Sequence, residues 1–152
     1  MQDFRRLRVW QRAHELALAI KQAARAFPRD GRSDRKRQLT RAADSIVSNI
    51  VEGCGAATRK EFARYLDISI KSAAEVDYRL ELARDDGSMS YDAWQPLSRA
   101  VIEVRKMVFG LRKSVIAADE AANNVRDRKP RQLDADSSGL MTDDEGLRTK
   151  DQ

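Results

Sequence analysis

Four stretches of the chain carry apolar residues at alternating steps of three and four, and that repeat leaves few folds open. In the first, Trp10, Ala13, Ala17, Ile20, Ala24 and Phe27 share one helix face. The run stops at Pro28, whose ring removes a donor and clashes with the preceding turn. The second opens near Ser33 and runs through Leu39, Ala43, Ile46, Ile50 and Gly53, with Gly53-Cys54-Gly55 as flexible backbone at its end. The third starts at Thr58-Arg59-Lys60-Glu61, a Thr-x-x-Glu capping box that satisfies two orphan amides. Its stripe is Phe62, Leu66, Ser69, Ala73, Val76, Leu80 and Ala83, and Gly87 closes it as a left-handed cap. The fourth opens at Ser90 with Trp94, Leu97, Val101, Val104, Val108, Leu111 and Val115. Pro96 falls in its first two turns, where a lost amide is tolerated.

These stripes predict helices at about 5–27, 33–54, 58–86 and 90–118. Short connections favour an all-α, antiparallel up-down-up-down four-helix bundle over residues 1–119. The seven-residue repeat predicts left-handed packing near about +20°. With 7 Gly and 3 Pro in 152 residues, an all-β fold lacks turn material. Residues 120–152 mix Asp, Ser, Gly, Thr and Arg without aliphatic periodicity and are expected to be a disordered polar tail.

Residue inventory excludes most chemistry. Cys54 and His14 are each the single residue of their type, which disfavours cysteine-rich zinc sites and Ser-His or Cys-His catalysis. Glu75, Asp77 and Glu81 lack the Glu-x-x-His arrangement of a di-iron bundle, and no phosphate-binding glycine loop occurs. The chain therefore reads as a non-enzyme with no catalytic residues, no cofactor and no metal. No membrane span is evident, and the start of the chain has no apolar signal region, so the expected location is the cytoplasm.

The net charge of +5 is unevenly distributed: residues 1–41 carry +8, residues 42–119 carry −1 and residues 120–152 carry −2. Arg5, Arg8 and Arg12 are spaced for one helix face, with Arg6 beside them. Arg35, Lys36, Arg37 and Arg41 open the second helix. In an antiparallel bundle the two groups lie at opposite ends, ~25–30 Å apart at ~1.5 Å per residue. A solvated surface is the bland reading of such runs, but the preference for Arg over Lys suits planar phosphate recognition. Nonspecific, salt-dependent binding of RNA or DNA through these eight residues is the expectation. Among aromatic residues only Phe4 and Trp10 interleave with them, so base stacking has little support.

Two further groups stand out. Ile102, Phe109 and Ile116 repeat every seven residues beside the main stripe of the fourth helix. They either widen the core face or form an oligomer interface, and the ladder tips the reading toward the oligomer. Ser45, Ser48, Asn49 and Glu52 precede Gly53 and read as a structural hydrogen-bond cluster.

Three segments carry a family resemblance: Phe4-Arg-Arg-Leu-Arg-Val-Trp10-Gln-Arg-Ala13, the block from Arg41 to Gly53 containing Ser48-Asn49-Ile-Val-Glu52-Gly53, and Arg59-Lys-Glu61-Phe62-Ala-Arg-Tyr65-Leu66. Over residues 4–116 the chain resembles the bacterial four-helix bundle proteins encoded in intervening sequences of the 23S rRNA gene. The resemblance implies a homopentameric barrel without known enzymatic activity. It extends to the accessory variability (Avd-like) proteins of diversity-generating retroelements, which bind nucleic acid through a basic surface and associate with a reverse transcriptase. A protein–protein scaffold or accessory subunit, for such a polymerase or another partner, is the alternative function. The chain departs from the pattern at Gly53-Cys54-Gly55, where a bulkier residue is usual after Glu-Gly, and in its tail.

Overall fold

The computed structural model describes residues 2–29 and 33–128, all-α among these residues. A 3₁₀ turn at Phe4–Arg6 precedes α1 (Arg8–Ala24), α2 (Ser33–Cys54), α3 (Arg59–Asp85) and α4 (Tyr91–Arg128). Each helix packs on its two neighbours in a closed cycle, most extensively α2 on α3 and α3 on α4. Cross-links fix the antiparallel order. Lys21 pairs with Asp44, Arg35 with Asp86, Arg112 with Asp67 and Arg12 with Glu103.

The core consists largely of the expected stripes. Ile20, Leu39, Ile46, Ile50, Leu66, Leu80, Val76, Val101, Val104 and Val108 are fully buried. Each such side chain contributes roughly 1.5–3 kcal/mol on leaving water. Trp10, Phe62, Trp94 and Leu111 are half-buried at the margin of this core.

Local chemistry sets the helix ends. Thr58 Oγ1 accepts from the Glu61 N–H at 3.1 Å, while the Glu61 carboxylate reaches back to the Ala57 N–H at 3.2 Å. Ser90 Oγ accepts from the Ala93 N–H. Gly87 has φ +77°, the left-handed conformation expected of it.

Helices one and four differ from the expected bounds. Asp3 accepts from the Arg5 N–H, and Leu7 is extended (φ −79°, ψ 122°), so the chain turns once and restarts as α1 at Arg8. Arg5 therefore does not belong to the helix of Arg8 and Arg12. After Ala24, three-residue hydrogen bonds tighten the chain through Phe27, which still reaches the core. At the other terminus, residues 120–128, expected in the tail, continue α4. Ala117, Ala118, Ala121 and Ala122 are strong helix formers and sustain the helix where the apolar stripe has ended. Val125 is accordingly exposed. The remaining tail, 129–152, lies outside the described residues.

The α2–α3 seam brings the two helices close together at Gly53. Gly53 lies inside α2, buried, and a Cβ there would sit 2.7 Å from Phe62 Cε2. Close approach, not flexibility, is what this glycine supplies. The buried Ser69 hydroxyl donates to the Ile46 carbonyl at 2.9 Å. Asn49 Nδ2 donates to Ser45 Oγ, Ser45 and Ser72 share a 2.8 Å hydrogen bond, and Ser72 donates to the Ile68 carbonyl. This polar chain keys α2 against α3 in one register.

Two outcomes follow for this end of the bundle. Gly53→Ala should destabilise the fold by about 1–3 kcal/mol in urea unfolding through overpacking against Phe62, and Gly53→Ala with Phe62→Leu should recover part of that loss. An unchanged midpoint for the single variant would contradict the seam. Cys54 is buried, and burial, then the Asp3 carboxylate, pushes its thiol pKa up. The reactive thiolate is therefore scarce. Alkylation near neutral pH should be at least about 10-fold slower in the folded chain than in urea.

Candidate nucleic-acid interface

Arginines held in ion pairs are poor phosphate ligands, so the first question is which cations remain free. Arg12 lies 3.4 Å from Glu15 and 3.6 Å from Glu103 of α4. Arg35 binds Asp86, whose side chain is largely buried and also accepts from the Ser88 N–H. Arg37 pairs with Asp34 at 2.6 Å, and Arg5 with Asp3 at 3.6 Å while lying over the Phe4 ring. Arg6, Arg8, Lys36 and Arg41 are exposed and make no ion pair with other described residues. Folding thus divides the eight expected cations in two ways: between opposite ends, and between compensated and free.

The end bearing Arg6 and Arg8 is built from three elements. The Gln2 N–H donates to the Cys54 carbonyl at 3.3 Å, which ties the start of the chain to the end of α2. Beside it begins α3, with Arg59, Lys60 and Arg64 exposed in its first turns. The far part of α4 supplies Arg126, which lines one open cavity of about 700 Å³ together with Gln2, Thr58 and Arg59. A second groove of about 590 Å³ between α3 and α4 is lined by Arg59, Lys60 and Arg64, and by Arg112 in its pair with Asp67. Arg59, Lys60, Arg64 and Arg126 were not among the expected site residues. Arg59, Lys60 and Arg64 are neighbours on the first turns of α3, and Arg126 joins them from α4 through antiparallel packing.

This end also carries carboxylates. Glu61 is engaged in its cap and Asp67 with Arg112, while Glu52 and Glu120 are exposed. The surface is mixed, with guanidinium groups projecting from it. Phe4, Trp10 and His14 form a ring ladder beside Arg5, with centroid spacings of 5.0 and 4.9 Å.

The polar group before Gly53 divides. Asn49 is half-buried and donates to the carbonyl and hydroxyl of Ser45, whose hydroxyl crosses to Ser72 of α3; Ser48 donates to the Ser45 carbonyl, and Glu52 is exposed without a hydrogen bond among the described residues. On the outer flank of α4, Phe109 is 58% and Ile102 43% exposed, whereas Ile116 is half-buried in the groove against α3. Tyr78 on α3 adds to the exposed apolar surface at 61%, and Leu18 on α1 exposes 53%. Among the described residues, no group of three or more His, Cys, Asp or Glu is placed to hold a metal ion, and no helix is long and apolar enough to cross a membrane.

Comparison with known proteins adds the family. A crystal structure of a protein of unknown function from the S23 ribosomal protein family of Bacteroides thetaiotaomicron superposes with a TM-score of 0.65 at 24% identity, covering 69% of this chain and 98% of that one. At that identity the likeness concerns the fold. No curated protein matches. The family model described as 23S rRNA-intervening sequence protein matches residues 5–110. With more than half its length matched, and the four-helix fold in agreement, the chain belongs to the 23S rRNA-intervening sequence protein family.

Proposed function

We propose that the protein is an oligomeric, non-enzymatic bundle that binds nucleic acid through phosphate contacts at the end where the chain begins. The observation that carries this reading is that Arg6 and Arg8, exposed and without an ion pair among the described residues, lie at the same end of the bundle as exposed Arg59, Lys60 and Arg64. Guanidinium groups presented this way form bidentate bonds to phosphate and release condensed counterions. The mixed charge of the surface makes a single copy a weak ligand. Assembly changes that, because a cyclic oligomer presents the same end of every subunit on one face and multiplies weak contacts.

The apolar flanks support assembly. Tyr78, Ile102 and Phe109 belong to α3 and α4, whereas Leu18 lies on α1, so apolar surface is exposed on more than one side. Different patches on different sides favour head-to-tail contacts, which form a ring when the rotation between subunits closes. The resemblance suggests five subunits. A family named for sequences that intervene in 23S rRNA makes RNA the first polyanion to test. The same exposed ladder favours one other reading, a scaffold or accessory subunit that docks a protein partner, with a reverse transcriptase suggested by the resemblance.

Replacing Arg6, Arg8 and Arg59 by Ala should weaken binding to mixed-sequence RNA hairpins or duplex DNA by about 10-fold or more at low salt. The slope of log K against log salt should fall by roughly 0.7–0.9 for each phosphate the variant no longer neutralises, with little dependence on sequence. Unchanged affinity would remove these residues from the site. In light scattering the native chain should run as an oligomer, and Ile102→Glu with Phe109→Glu should release subunits of unchanged helical content. A native monomer at micromolar concentration would contradict the assembly. A chain that retards no nucleic acid, yet co-purifies in fixed ratio with one protein, would favour the scaffold.

A further inference from the structure

The basic end of the bundle is also where α4 leaves it. Arg126, near the end of that helix, lines the same cavity as Gln2 and Arg59. Five residues, 129–133, separate Arg128 from Asp134. Fully extended, they span up to ~17 Å. The stretch from Asp134 to Glu145 then holds five carboxylates, Asp134, Asp136, Asp143, Asp144 and Glu145, and no cation.

We propose that this acidic stretch docks on the basic end of its own bundle, at Arg6, Arg8, Arg59 and Lys60, and competes there with a nucleic acid. The proposal rests on the binding reading above and assigns its regulation. Three observations favour this occupant. Its charge is complementary, with five negative groups within twelve residues, two at 134 and 136 and three at 143–145. Its tether is short, and a short tether holds a ligand at an effective concentration near the millimolar range. The opposite end of the bundle is a poorer target, because it lies the length of α1 away, ~25 Å, and its Arg35 and Arg37 already hold carboxylates. A docked segment of this kind would exclude short or weak polyanions and yield to long ones that reach several subunits.

The test uses the full chain. Ser138→Cys is labelled with a nitroxide, the native Cys54 being buried and shielded from the reagent. Amide resonances of Arg6, Arg8, Arg59 and Lys60 should broaden at low salt and recover near ~0.5 M, where exposed charges are screened. In parallel, the variant with Asp134, Asp136, Asp143 and Asp144 changed to Asn and Glu145 to Gln should bind an RNA hairpin ~5–10-fold tighter than the native chain at low salt. That gain should vanish when Arg6, Arg8 and Arg59 are also Ala. Absence of broadening at low salt overturns the docking, whatever the RNA does. Broadening with no gain in affinity for an RNA that does bind overturns the competition. Broadening with no RNA binding by either form upholds the docking and removes the nucleic-acid reading instead.

Discussion

The contact of Gly53 with the Phe62 ring sets much of the geometry that follows. Because the glycine has no Cβ, α2 and α3 approach closely at this end, and the serine hydrogen bonds farther along the seam hold them in one register. At the end of α2 the Cys54 carbonyl receives the Gln2 N–H. The start of the chain is thereby carried beside the first turns of α3. Arg6 and Arg8 share this end of the bundle with Arg59 and Lys60, on elements that both border the end of α2.

Charge follows the fold rather than the order of the chain. The strongly basic first quarter does not make a basic quarter of the surface, because α3 and α4 return carboxylates to it: Glu103 to Arg12 and Asp86 to Arg35. The exposed pair of Arg12 with Glu103 adds only tenths of a kcal/mol to stability, up to about 1. The larger consequence of both pairs is subtraction, since each compensated guanidinium is a weaker ligand for phosphate. The exposed apolar side chains have a different logic. Phe109 and Tyr78 each leave an aromatic surface in water, and covering them by another subunit or partner would recover that cost.

Much of the fold was legible because it is periodic. Helical repeats, the Thr58 cap and the left-handed Gly87 are local properties of the chain, and each occupies the place its chemistry assigns. The misjudged boundaries have local causes of another kind. Asp3 captures a backbone amide and interrupts the first helix, while alanine-rich sequence extends the fourth after its apolar stripe has ended. Periodicity registers neither effect. The candidate site was only half legible. Arg6 and Arg8 could be read from clustering, but the withdrawal of Arg12 and the arrival of Arg59, Lys60 and Arg64 depend on which helices become neighbours. The role of Gly53 was misread for the same reason, since its partner Phe62 lies across a turn on the next helix.

The central claim is that one end of this bundle is a polyanion surface. Hydrogen exchange of the full chain, with and without a saturating mixed-sequence RNA at low salt, tests it without altering a residue. The account predicts slowed exchange confined to residues 4–10 and 58–66. Protection restricted to the outer flanks of α3 and α4, or none at any amide, would contradict it.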